Sequence, residues 1–96
     1  MVEVRKTLLF ARWLEALDDV RARARILVRI ERLVAGNAGD TKAVGEGVAE
    51  LRIDYGPGYR VYYKKHGPAL IILLAGGKKQ TQARDVRAAL RFARTL

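Results

Sequence analysis

The sequence has no cysteine, a single histidine (His66), two prolines and little acid to set against its base. Each shortage excludes something. Without cysteine there is neither a disulfide framework nor a thiolate metal site, and nothing in the chain requires an oxidising compartment. With one histidine and no cluster of Asp, Glu and His at ligand spacing, neither a metal site nor a cofactor is expected. Long apolar runs are missing as well. Residues 7–17 are too few to span a bilayer and include Arg12 and Glu15, and residues 1–6 do not lead into a signal-type apolar core. A cytoplasmic protein with no membrane partner is the expectation.

What the chain does have is base and apolar bulk. Nineteen Lys and Arg against ten Asp and Glu leave a formal net charge of +9 on 96 residues, of which 50% are hydrophobic. That apolar content suits a folded chain, because a disordered one buries too little to offset its conformational entropy. The length allows one core, and no repeat, linker or low-complexity run divides it, so residues 1–96 are expected to form a single domain. The charge excess suits a polyanionic partner: a phosphate backbone, an acidic protein or an anionic surface.

Val2 and Val4 alternate with Glu3 and Arg5 as a short strand. Thr7 suits an N-cap, and Leu9, Trp13, Leu14 and Leu17 follow at helical spacing. Asp18-Asp19 breaks that helix and caps a second, along which Val20, Ala24, Leu27, Ile30 and Val34 form an apolar stripe. Gly36-Asn37-Ala38-Gly39-Asp40 ends the helical hairpin. Ala49, Leu51, Ile53 and Tyr55 then alternate with Val48, Glu50, Arg52 and Asp54. After the Gly56-Pro57-Gly58 turn, Tyr59, Val61 and Tyr63 alternate with Arg60, Tyr62 and Lys64 on an antiparallel return. Beyond His66-Gly67-Pro68, residues 69–75 are apolar throughout, as in a strand covered on both faces. Gly76-Gly77 reads as a turn, and a last helix begins near Thr81 with Val86, Ala89, Leu90 and Ala93 on one side. The order β-α-α-β-β-β-α predicts an α+β domain, a small antiparallel sheet packed against helices.

Two arginine stripes follow helical spacing: Arg21, Arg25, Arg29 and Arg32 on the second helix, and Arg84, Arg87, Arg91 and Arg94 on the last. Each is either a phosphate-contacting face, releasing counterions from nucleic acid, or a solvated helix surface. A sharper grouping lies on the strands. In simple register Arg52 and Arg60 point to one side of the sheet, where like charges across strands repel unless an anion sits between them. Lys78 and Lys79 follow Gly76-Gly77, where backbone can approach a ligand closely. Lys64 lies further along the same strand, and Tyr62 is the tyrosine that alternation turns away from the core, free to stack on a base. The alternative is internal pairing, Arg52 with Glu50 or Asp54 and Arg60 with Glu46. An exposed cationic cluster suits RNA cleavage in which the 2′-hydroxyl attacks the adjacent phosphorus and fixed cations stabilise the phosphorane. Proton transfer would then fall to Lys78, Lys79, Glu50 or Tyr62, since His66 reads as a turn residue.

Four segments together resemble the RelE/ParE toxin superfamily, and within it the HigB-like, phage-related killer-protein branch. They are Phe10-Ala11-Arg12-Trp13-Leu14, Glu50-Leu51-Arg52-Ile53, Gly56-Pro57-Gly58-Tyr59-Arg60-Val61-Tyr62-Tyr63 and the stretch from Leu73 through Gly76-Gly77-Lys78-Lys79 to Gln82. The resemblance covers nearly the whole chain. It implies a RelE-like fold and the toxin of a type II toxin–antitoxin system, a metal-independent endoribonuclease that cuts mRNA on the ribosome, contacts ribosomal RNA and arrests growth. It also implies a cognate antitoxin, a helix-turn-helix protein from an adjacent gene, and a toxin–antitoxin hetero-oligomer. By position, Arg60 matches the phosphate-stabilising arginine of the Tyr-Arg-Val strand, Arg52 the arginine of the preceding strand, and Lys79 a basic position after the glycine pair. With Lys78 these are the candidate catalytic residues; Tyr62, Lys64, Arg84 and Arg87 are the candidate substrate-binding ones. RelE's paired lysines fall here on Val48 and Glu50 and its tyrosine on Asp85, so the resemblance carries over the anion-stabilising half of the site. Two other readings stay open: a ParE-like inhibitor of DNA gyrase that cuts no RNA, and a non-toxic basic binding module.

Overall fold

The computed structural model describes residues 2–96. The elements run β1 (Glu3–Lys6), α1 (Leu8–Glu15), α2 (Val20–Val34), β2 (Thr41–Gly45), β3 (Val48–Ile53), β4 (Tyr59–Lys65), β5 (Leu70–Lys78), a 3-10 turn (Lys79–Thr81) and α3 (Gln82–Ala93). The α+β class is as expected, but the sheet is larger than the expected antiparallel one, and mixed. Its strand order is β1-β5-β4-β3-β2, with β1 parallel to β5 and the other pairs antiparallel.

The unanticipated strand is β2. Its Thr-Lys-Ala-Val-Gly sequence shows little apolar alternation and is exposed except at half-buried Val44. Its pairing with β3 is set instead by a tight turn, in which Gly45, Glu46 and Gly47 all take positive φ of 110°, 54° and 80°. That is the left-handed backbone a two-residue hairpin needs, and Glu46 adopts it without being glycine.

Side-chain caps set the helix starts. Thr7 Oγ1 accepts from the Phe10 amide at 3.1 Å and donates to the Leu74 carbonyl at 2.7 Å, so one hydroxyl both caps α1 and pins it to β5. Asp19 Oδ1 accepts from the Arg21 and Ala22 amides at 3.0 and 3.1 Å. The buried faces are rotated from the expected ones. On α1 the core residue is Phe10, while Leu9 is exposed. On α2 the buried stripe is Ala22, Ile26, Ile30 and Leu33, leaving Val20 70% exposed. The 4-4-3 spacing of that stripe is as good a helical period as the expected one.

Helices cover both faces of the sheet. Against α1 and α2, Phe10, Ile26 and Leu33 pack with Leu51, Val61, Tyr63 and Leu73. Against α3, Ala89 and Ala93 pack with Val48, Tyr62, Ile72 and Leu74. Residues of β5 therefore alternate between two interiors, which is why its sequence is apolar throughout. Gly76 and Gly77 lie within β5 rather than in a turn, a correction explained by what faces them: a Cβ at Gly76 would meet the Trp13 ring at 2.1 Å, and one at Gly77 the Asp85 carboxylate at 1.8 Å. Both glycines serve close packing of the protein on itself rather than approach of a ligand.

Candidate functional site

The β3–β4 register places Arg52 directly opposite Arg60 and Glu50 directly opposite Tyr62, all on the side of the sheet that α3 covers. Two guanidiniums in register repel, and the anion that offsets this belongs to the protein. Glu50 Oε1 accepts from Arg52 Nε at 2.9 Å and lies 3.5 Å from Arg60 Nε. Its other oxygen, Oε2, accepts from Gln82 Nε2 of α3 at 2.8 Å. The internal pairing of Arg52 with Glu50 is thus observed; the second acid near Arg52 is Asp40, at 3.9 Å, rather than Asp54, and Arg60 turns to Glu50 rather than Glu46. Glu46 is engaged elsewhere, by Arg94 in a two-point contact at 2.9 and 2.8 Å.

Glu50 is completely buried. Burial alone would raise its carboxyl, but hydrogen bonds from Arg52 and Gln82 and the Arg60 charge outweigh that and hold it below its ordinary value. It therefore stands ionised at neutral pH. Arg60 is itself only 11% exposed, and its NH1 donates to the Gly58 carbonyl at 2.9 Å. That carbonyl also accepts the Lys79 amide at 2.8 Å, drawing the end of β5 against the turn before β4. Gly58, with φ of 78°, makes this possible, since an L side chain is strained at that φ and a Cβ there would crowd Arg60 NH1 at 3.3 Å. Lys78 and Lys79 are exposed beside it. The structure thus brings Arg52, Arg60 and Lys79 to one end of the β3–β4–β5 sheet, with Lys78 on its rim.

The start of α3 completes the cluster. Thr81 Oγ1 donates to Asp85 Oδ2 at 2.6 Å and Arg84 Nε donates to Asp85 Oδ1 at 3.2 Å, while Asp85 itself is buried over Gly77. Gln82, Thr81 and Asp85 escaped the sequence reading as a group. The signal available was the i, i+4 spacing of Thr81 and Asp85, with Gln82 between them, at the head of a helix following two lysines.

Other expected site residues are placed differently. Tyr62 is fully buried in the α3-side core, its hydroxyl without a hydrogen-bond partner, so it offers no face for base stacking. Burial, and then the Glu50 charge, push its phenol well above the ordinary value, which also removes it as a proton donor or acceptor at neutral pH. The expectation failed because it counted one covered face of β4, and α3 covers the second. Lys64 lies four residues from Arg60 on β4, about 13 Å along a strand, opposite Val48 and outside the arginine cluster. Arg84 and Arg87 are exposed on α3, Arg84 with its contact to Asp85. His66 lies exposed beyond the far end of β4 from Arg60.

The helical arginine stripes also divide by role. Arg29 donates to the carbonyls of Arg52, Ala38 at 3.0 Å and Asp40 at 3.3 Å, fastening α2 to β3 and the loop before β2. Arg25 stacks 4.6 Å over the Tyr55 ring. Arg21, Arg25, Arg29 and Arg32 edge a shallow groove floored by Ala24, Val28 and Ile53. Among the described residues no group of three or more His, Cys, Asp or Glu could hold a metal ion, and no helix is long and apolar enough to cross a membrane.

Fold and site together define a small basic α+β protein with an arginine pair held by a buried carboxylate at one end of its sheet. By sequence the chain belongs to the family "Phage derived protein Gp49-like (DUF891)", whose model matches residues 12–95. This is a toxin-like family of toxin–antitoxin systems related to RelE and HigB. The chain is also 48% identical over 95 residues to an uncharacterized protein of Haemophilus influenzae, covering 99% of this chain and 96% of that one. No solved structure matches the chain.

Proposed function

We propose that this protein is the toxin of a type II toxin–antitoxin pair and acts as a HigB-like, ribosome-dependent mRNA interferase. The observation that carries the reading is the arginine pair. Arg52 and Arg60 are register partners, Arg52 held through Nε by Glu50 and Arg60 through NH1 by the Gly58 carbonyl, and that carbonyl also draws Lys79 beside them. Held donors aimed at a developing charge stabilise a transition state without reorganising first. For RNA the charge develops on the phosphorane formed when a 2′-hydroxyl attacks the adjacent phosphorus, leaving a cyclic phosphate and a free 5′-hydroxyl. Arg60 and Arg52 bind the phosphate oxygens, and Lys79 and Lys78 supply the exposed cations at the rim. With Glu50 and Tyr62 buried, proton transfer falls to those lysines or to groups of the ribosome and the message. Arg84 and Arg87 extend the basic surface along α3, where ribosomal RNA would lie. The family membership supports a toxin, and the net charge of +9 supports a polyanionic target.

The partner that restrains such a toxin is a cognate antitoxin in a hetero-oligomer. The α2 groove, basic at Arg21, Arg25 and Arg32 with an apolar floor, suits an acidic amphipathic segment of that protein.

The test is primer extension on a reporter message in a reconstituted translation system, with the wild type and Arg60→Ala. Cuts at ribosome-occupied codons are expected, falling about 100-fold or more in the variant while its fold is retained. A folded, growth-arresting wild type that makes no cuts would transfer the target to DNA gyrase. A wild type that neither cuts nor arrests growth would leave a basic binding module.

A further inference from the structure

We infer that Glu50 is the positioning residue of the arginine pair, its buried carboxylate fixing the inner edges of Arg52 and Arg60 so that their outer N–H groups bind one phosphate. The inference deepens the proposed function and rests on its placement of the phosphate at this pair. Arg52 Nε donates to Oε1 at 2.9 Å, buried Arg60 Nε stands 3.5 Å from the same oxygen as an ion pair without a hydrogen bond, and Gln82 holds the second oxygen at 2.8 Å. Arg60 NH1 is held by the Gly58 carbonyl at 2.9 Å, and neither terminal NH2 group donates to another of the described residues. Arg52 is thus hydrogen-bonded to Glu50 through Nε, Arg60 is paired with the same oxygen by charge and held through NH1, and the NH2 group of each is left without a hydrogen bond among the described residues.

Stability gives this arrangement no sufficient reason. A buried carboxylate bonded to cations is seldom more stabilising than an apolar residue of similar size, and Val48, on the same face of β3, packs in the α3-side core without any charge. What an apolar residue at position 50 could not do is hold two like-charged register partners side by side. Glu50 also acts on binding and turnover in opposite directions. Its negative charge weakens attraction of RNA to the site, while its hydrogen bonds fix the donors that the transition state needs. A residue with only a structural role has no such split.

Glu50→Gln keeps the shape and removes the charge; Glu50→Asp keeps the charge on a shorter arm. Each is measured by single-turnover cleavage on programmed ribosomes, and by affinity for a message carrying a 2′-deoxy nucleotide at the cut site. Glu50→Gln is expected to bind that message at least as tightly as wild type and to cleave about 10- to 100-fold more slowly. Glu50→Asp is expected to recover part of the rate. A Glu50→Gln rate equal to wild type, or losses of rate and affinity that track the unfolded fraction by circular dichroism, would overturn the inference. Should wild type cut no RNA, the interferase reading fails by itself, and titration with inorganic phosphate decides the positioning role. The Arg52 and Arg60 Nε–Hε cross-peaks in nitrogen-15 NMR then shift in wild type and stay in place in Glu50→Gln, whereas equal shifts in both overturn it. If Glu50→Gln does not fold, Glu50→Asp carries the same measurements, with a smaller phosphate shift and slower cleavage expected.

Discussion

Gly76 and Gly77 are neighbours on β5 and face opposite ways, and a methyl group on either would strike a different kind of surface. Beside Gly76 stands the ring of Trp13; beside Gly77 stand the Asp85 carboxylate and, at 3.1 Å, the Thr81 hydroxyl. The two contacts summarise the two sides of the sheet. On the α1–α2 side the interior is aromatic and aliphatic, with Trp13 edged by Phe10 at 5.8 Å and Tyr59 at 6.3 Å between ring centroids. On the α3 side a smaller apolar cluster shares its interior with Glu50, Asp85 and the Tyr62 hydroxyl. Apolar burial is non-directional and tolerates small shifts, whereas a hydrogen bond demands a narrow range of distance and angle. On the proposed function, one side therefore sustains the fold and the other the geometry of the candidate site.

Alanine at each glycine tests that division with the largest effects. Gly76→Ala overpacks the Trp13 contact and should cost about 1–3 kcal/mol in urea unfolding, while, on the proposed function, the protein that remains folded should cleave at the wild-type rate. Gly77→Ala pushes Asp85 and the head of α3 outward, which pulls Gln82 from Glu50. Cleavage per folded molecule should fall about 10- to 100-fold, beyond any loss in stability. The reverse pattern, activity lost at Gly76 and kept at Gly77, would break the comparison.

The α1–α2 side was the more legible in the sequence, for a physical reason. Its helix caps, Thr7 and Asp19, are local signals, and its strand residues Leu51, Ile53, Tyr59, Val61 and Tyr63 fall on the strict alternation that one buried face imposes. Even there the helical stripes came out rotated, because α2 carries two apolar stripes and only packing chooses between them. The α3 side was misread at Tyr62, since alternation marks a residue as facing away from one core without revealing that a second core lies beyond. Strand β2 was missed because pairing and a positive-φ turn, rather than pattern, define it. The arginine pair was legible from register alone, and its pairing with Glu50 was weighed as an alternative. The involvement of Gln82 is a long-range fact, 32 residues from Glu50 along the chain, and no local pattern encodes it.

Acid should separate the two sides more gently. Two carboxyls are held below their ordinary values, Glu50 as described and Glu46 by its hydrogen bonds from Arg94, and both have a partner in or at the end of α3. A carboxyl with a lower value in the fold than in the unfolded chain stabilises fully above the unfolded value, about 4.3 for glutamate. That stabilisation is lost as pH falls through the folded value. Between pH 6 and pH 3, the protection of α3 amides against hydrogen exchange, taken relative to the intrinsic rate at each pH, should therefore fall before that of α2. Glu50→Gln should flatten the dependence of unfolding free energy on pH over that range. Simultaneous loosening of α2 and α3 would show that the two sides are one cooperative unit.

The smallest effect is expected at the rim of the α3 side. Arg94, just beyond the last turn of α3, grips Glu46 in the β2–β3 hairpin, and both side chains are largely exposed, 60% and 47%. An exposed ion pair is screened by water and salt, so Arg94→Ala should shift the melting temperature only slightly, and the shift should disappear in high salt. Glu46 is also held at a φ of 54°, a conformation glycine adopts more readily. Glu46→Gly removes the same ion pair while relieving that backbone, so the two variants separate electrostatics from strain. If Arg94→Ala destabilises and Glu46→Gly does not, backbone relief at the hairpin outweighs the lost pair. If both destabilise strongly and salt has no influence, the hairpin is fastened to α3 by more than charge, and the α3 side contributes to the fold as well as to the site.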